Sequence, residues 1–116
     1  MFKIVILKNP ITTVDLKRIA SEGFGDIIKA VVDVEKEIMA IGGELHVDIE
    51  VVLMENHSSL HQNTWGINLY PNQTGDEFVE FDSMINLKPS IGNRTRNVED
   101  LKIQKRIREI VKKFIL

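Results

Sequence analysis

The spacing of hydrophobic positions changes period along the chain, and each change marks a predicted element. Residues 2–7 are apolar around Lys3 and read as a buried strand that Asn9-Pro10 stops. Thr12 or Thr13 then caps a helix with Asp15 in its first turn, Leu16, Ile19 and Ala20 face inward, and Gly23 ends it. Residues 26–43 fit two periods. As a helix, Ile27, Val31, Val34, Ile38 and Ile41 form a stripe that Gly42-Gly43 terminates; as a hairpin, 29–34 and 38–41 are strands about the charged turn Glu35-Lys36-Glu37. The β-branched run Val31, Val32, Val34 favours the hairpin.

From 44 to 54 the alternation is strict: Leu45, Val47, Ile49, Val51 and Leu53 are apolar, and Glu44, His46, Asp48 and Glu50 are polar. That period predicts a strand, in competition with a helix starting near Asp48 that turns Ile49, Val52 and Leu53 inward. His46 and Glu50 share a face in both cases, because a separation of four satisfies both periods; Asp48 joins them only in a strand. After a polar connection that carries His57 and His61, residues 65–88 predict two more strands. Trp65, Ile67 and Leu69 oppose Asn68 and Tyr70 in the first; Val79, Phe81, Ser83, Ile85 and Leu87 oppose Glu80, Asp82 and Asn86 in the second. Residues 71–75 supply the turn and Pro89 the stop.

The clearest helix comes last. Asn97 is read as its cap with Asp100 placed for a capping box, and Leu101, Ile103, Ile107, Ile110, Val111 and Phe114 form its apolar stripe. These elements predict one α+β domain over residues 1–116. Its antiparallel-rich sheet has about five strands, with the helices, the C-terminal amphipathic one included, packed on one face and the polar face open.

Composition narrows the class. With 43% hydrophobic and 28% charged residues the 116-residue chain is ordinary for a folded domain, and no apolar run reaches the length of a membrane span, so a cytoplasmic location is expected. The absence of cysteine removes disulfides, thiolate metal sites and cysteine nucleophiles, leaving His, Asp and Glu for any metal. Charge is unevenly placed. Residues 1–93 carry 7 basic and 14 acidic side chains, a balance of −7, and residues 94–116 carry 8 and 3, a balance of +5. The basic end either neutralises the acidic body, in this copy or a second one, or binds an anion. A pI of 5.9 and the lack of aromatic residues between the basic ones argue against nucleic acid.

The blocks GGELH at 42–46, WGINLYP at 65–71, FDSMIN at 81–86 and GNRTR at 92–96, with Val98-Glu99-Asp100 following, resemble a small prokaryotic family of uncharacterised domains. The resemblance implies no activity. It singles out His46, Asp48, Trp65, Asn68, Asp82, Asn86, Arg94 and Arg96, and where it implies Gly-Ser after position 55 this chain has Asn56-His57-Ser58.

The residues carry two readings of function. In the first, a binding or interaction domain without cofactor takes a small anionic ligand or a protein partner through Asn68, Tyr70, Asp82, Asn86, Arg94 and Arg96, as a homo-oligomer. Two guanidinium forks before a helix N-terminus suit a phosphate or carboxylate, unless both arginines pair with acids of the body instead. In the second, a small hydrolase of phosphoesters holds a divalent metal through His46, Asp48 and Glu50, with Asp82 as base or further ligand. The H-x-D-x-E spacing is equally that of an alternating strand showing polar residues to water. Ser83, on the apolar side of its strand, reads as a buried hydroxyl bonded to backbone, since no nucleophile elbow surrounds it.

Overall fold

The stretch with two possible periods folds as a hairpin at the middle of the sheet. In the computed structural model, which describes residues 2–116, β2 (Ile28–Asp33) and β3 (Ile38–Ile41) pair antiparallel about a turn held by Asp33. Its Oδ1 accepts from the Glu35 and Lys36 N–H groups, 3.0 Å each, and Glu37 closes the turn in the left-handed region at φ 56°. β1 (Val5–Ile6) adds to β3 at one edge; β4 (Thr64–Leu69) adds to β2, and β5 (Val79–Glu80) to β4. The order is β1-β3-β2-β4-β5 and every pairing is antiparallel, so the α+β class and the five-stranded sheet stand as expected. The first strand is shorter than its apolar run and half-buried, because it lies at an edge.

Strand alternation sends two sets of side chains to opposite faces. Ala30, Val32, Met39, Ile41, Trp65, Ile67 and Leu69 belong to the larger core, where they meet Leu16 and Ala20 of α1 (Thr13–Ser21) and Ile107, Ile110, Val111 and Phe114 of α3 (Leu101–Phe114). Full burial of each large aliphatic or aromatic side chain there contributes roughly 1.5–3 kcal/mol. α1 is capped as expected: Thr12 and Asp15 form the reciprocal box. α3 starts later than expected. Asp100, not Asn97, is its cap, accepting from the Lys102 N–H, while Asn97 turns its Oδ1 to the Val98 N–H and Val98 is fully buried ahead of the helix. Leu101 consequently leaves the stripe and is exposed.

The second face of the sheet is not open along its length. The alternating run 44–54 forms a helix, α2 (His46–His57), which lays Ile49 and Leu53 over Val31 and Ala40. The strand reading fails because Gly42, at φ 101°, turns the chain out of the sheet, and Gly43 lies so close to Ile49 that a Cβ there would be 2.6 Å from its Cγ1. Ile49 and Leu53 are four apart and serve either period; Val47 and Val51, the residues that made the alternation, are left exposed.

The second predicted strand of the 65–88 pair is also cut short. After Val79–Glu80 the chain leaves the ladder. Ser83 Oγ accepts from the Ile85 N–H and starts a 3₁₀ turn over Met84–Asn86, consistent with its reading as a buried, backbone-bonded hydroxyl. Asn86 then replaces a strand: its carboxamide accepts from the Gly66 N–H at 2.8 Å and donates to the Gly66 carbonyl at 2.9 Å, as a neighbouring peptide group would. No helix among the described residues is long and apolar enough to cross a membrane.

Candidate functional site

The loop between residues 88 and 99 is braced by side-chain hydrogen bonds. Lys88 and Asn93 close it with a two-bond antiparallel bridge. Asn93 is buried and aims its amide nitrogen at the carbonyls of Asn86 and Asn97, 2.7 Å each, and of Thr95 at 3.1 Å, while its Oδ1 accepts from the Glu99 N–H. Asn86 donates to the Arg96 carbonyl at 3.0 Å, and the Ser83 N–H donates to the same oxygen at 3.1 Å. The backbone is therefore fixed while Arg94 and Arg96 stay exposed.

An anion does occupy this loop, and the chain supplies it. Glu99 Oε2 accepts from the N–H groups of Arg94 and Thr95, at 2.7 and 2.9 Å, and from the Thr95 hydroxyl at 3.0 Å. The Arg94 N–H, then the Thr95 hydroxyl, hold the carboxyl below the ordinary glutamate range despite its exposure. The unfolded chain binds this proton more readily, so the contribution is present above the ordinary value and is lost as pH falls through the lowered one. On acid titration the Arg94 and Thr95 amide resonances are expected to shift together with an inflection below pH 4.5. In Glu99→Gln that inflection is expected to vanish; if it persisted, another group would be holding the loop.

Beside the loop lies a polar strip along the β4–β5 end of the sheet. Arg96 Nε donates to Asp82 Oδ1 at 2.7 Å, with both side chains about half exposed, so this arginine pairs with the body. Among the described residues Arg94 makes no salt bridge, and its exposed guanidinium fork is left to water. Asn68 donates to Glu80 Oε1 at 2.9 Å and to the Asp82 carbonyl at 3.2 Å. Both partners are acceptors, which fixes the amide's orientation and leaves its buried Oδ1 without a hydrogen bond. Tyr70 donates to the same Glu80 oxygen at 2.8 Å, and its pKa is pushed up to about 12, first by burial and then by that carboxylate.

The residues considered as metal ligands do not converge. His46 and Glu50 lie together on the inner side of α2, as their separation of four requires, and Asp48 lies on the outside, exposed. His46 Nε2 donates to the Ile67 carbonyl at 2.9 Å, which places the proton on that nitrogen. Burial lowers its pKa and Lys29 adds to the lowering, against the Ile67 carbonyl, Asn68 and Asp82. Glu50 Oε2 is taken by Thr64 Oγ1 at 2.5 Å and His61 Nδ1 at 2.7 Å. Among the described residues no group of three His, Asp or Glu side chains is placed to hold a metal ion.

Of the six residues read as ligand-binding, Asn68, Tyr70, Asp82 and Arg96 form one continuous strip through Glu80, Arg94 stands on the adjoining loop, and Asn86 is wholly buried as its brace. Sequence reasoning missed Asn93 and Glu99, which fix the loop, and the Glu50–His61–Thr64 cluster. Asn93 stands beside Gly92 in the GNRTR block, and nothing in the residue spacing tells a bracing asparagine from a turn-forming one.

Residues 5–114 match the family described as "Protein of unknown function (DUF5674)". No curated protein and no solved structure matches the chain.

Proposed function

The chain belongs to the DUF5674 family of proteins of unknown function, and we propose that it is a binding domain. In this reading the 93–99 loop and the adjoining strip present Arg94 to a carboxylate or phosphate group on a small ligand or a protein partner. The observation that carries this reading is the bracing of the loop. A connector between a sheet and a helix does not require two buried asparagines and an internal carboxylate to hold its backbone. A recognition loop does, because a pre-ordered backbone removes the entropy cost of fixing it on binding. Glu99 already takes the Arg94 and Thr95 N–H groups, so an incoming anion meets the exposed Arg94 fork first, and Arg96 by exchange from Asp82. Tyr70 and Glu80 border the same strip and offer hydroxyl and carboxylate contacts to the rest of the ligand.

The test is the thermal midpoint of the purified protein titrated with inorganic phosphate, pyrophosphate and citrate, since a ligand of the folded state raises it. Saturable stabilisation by at least one of the three is expected, with the apparent Kd raised about tenfold or more in Arg94→Ala, a loss of roughly 1.4 kcal/mol. Arg94→Lys is expected to recover little of it, because a point charge lacks the bidentate fork. Stabilisation unchanged in Arg94→Ala would remove this site from consideration.

A further inference from the structure

A groove of about 460 Å³ that shares no lining residue with this loop lies where the start of α1, the 71–75 turn and the end of α3 meet. Its floor includes Phe78, Val111 and Ile115, all of which pack into or against the larger core. Lys17 and Lys112 stand among its lining residues and are the only ones with charged side chains; both are exposed and neither has an ion-pair partner among the described residues. Thr13 and the exposed turn residues, Thr74 among them, add hydroxyl and amide groups. Lys17 comes from the acidic body and Lys112 from the basic end, and together they give this apolar groove two cations and no acidic side chain.

We propose that this groove binds a small amphipathic monoanion, a carboxylate with an aliphatic or aromatic tail. Its volume lies in the range of small-molecule sites, about 300–1,000 Å³. The tail gains by covering Phe78, Val111 and Ile115, and the carboxylate gains from Lys17 and Lys112, which point charges on flexible stems can follow to the headgroup. A cation is repelled here. A neutral tail leaves the two ammonium groups unused, and a compact polyanion leaves the floor uncovered.

The experiment is an amide-resonance titration of the ¹⁵N-labelled protein with sodium octanoate, with sodium acetate and octanol as the headgroup and tail alone. Octanoate is expected to produce saturable shifts at Thr74, Phe78 and Ile115, and to bind more tightly than either acetate or octanol. The double variant Lys17→Glu, Lys112→Glu, which alters only exposed side chains, is expected to raise the octanoate Kd about tenfold or more, and Arg94→Ala to leave it within about twofold. The absence of saturable shifts at these three residues, octanol binding as tightly as octanoate, or an unchanged Kd in the double variant would each overturn the proposal.

Discussion

Asn86→Ala is expected to cost the domain about 3–5 kcal/mol, read as a fall in the urea midpoint at unchanged slope. The side chain is wholly buried and makes three hydrogen bonds, from the Gly66 N–H and to the carbonyls of Gly66 and Arg96. Alanine leaves a donor and two acceptors with those bonds unmade, each buried group costing roughly 1–3 kcal/mol when unsatisfied. The Arg96 carbonyl keeps its bond from Ser83, so the full sum is not reached. Asn86→Asp is the informative companion. It keeps the acceptor for Gly66 but has no proton for the two carbonyls and brings a buried charge, so it is expected to be at least as damaging. A loss below about 1 kcal/mol in Asn86→Ala would mean that the loop stands without its brace, and the argument for a pre-ordered recognition loop would fall with it.

Stability is expected to climb between pH 8 and 10, in contrast to the flat profile of most domains there, because of Lys88. The residue is 3% exposed, donates its Nζ to the Ile85 carbonyl at 2.7 Å, and lies 4.8 Å over the Trp65 ring, with no carboxylate in ion-pair range among the described residues. Burial pushes its pKa down to about 8, against a weaker opposing pull from Glu50. Between that value and the ordinary 10.5 the unfolded chain holds the proton and the folded chain has lost it, so folding is favoured increasingly as pH rises. The gain is about 2–3 kcal/mol by pH 10. Above pH 10 Tyr70 acts with the opposite sign, since its folded pKa of about 12 keeps a proton that the unfolded phenol gives up. Urea unfolding across pH 7–10 checks the rise, and Lys88→Met is expected to abolish it. A rise that survives in the methionine variant would assign the effect to another group.

These two residues mark where sequence reading stops. Asn86 fell on the polar side of a predicted strand, Lys88 two residues on shares that side, and a period of two assigns it to water. The strand ended at Glu80 instead, and the chain folded those side chains inward, where each had to find backbone partners. His46 shows a partial success. Its shared face with Glu50 followed from a separation of four alone, yet which groups that face would meet, Ile67 for one and Thr64 and His61 for the other, depended on where α2 lay across the sheet.

What the sequence by itself determined is the set of local choices. The β-branched run and charged turn make the central hairpin, the Thr12–Asp15 box starts α1, and the 3.6-residue stripe forms α3, because short-range sterics and capping decide these within a few residues. Arg94 and Arg96 were likewise visible as two guanidinium groups just ahead of a helix start. Only the tertiary structure decided that 44–54 would be helical, that an asparagine side chain would stand in for a strand at Gly66, and that Arg96 would pair with Asp82 while Arg94 stayed free. The physical reason is common to all three. Alternation and a separation of four are each compatible with more than one period, and a polar group's partner is fixed by the burial of chain far away in sequence, where an unmade hydrogen bond costs more than a local preference can offset.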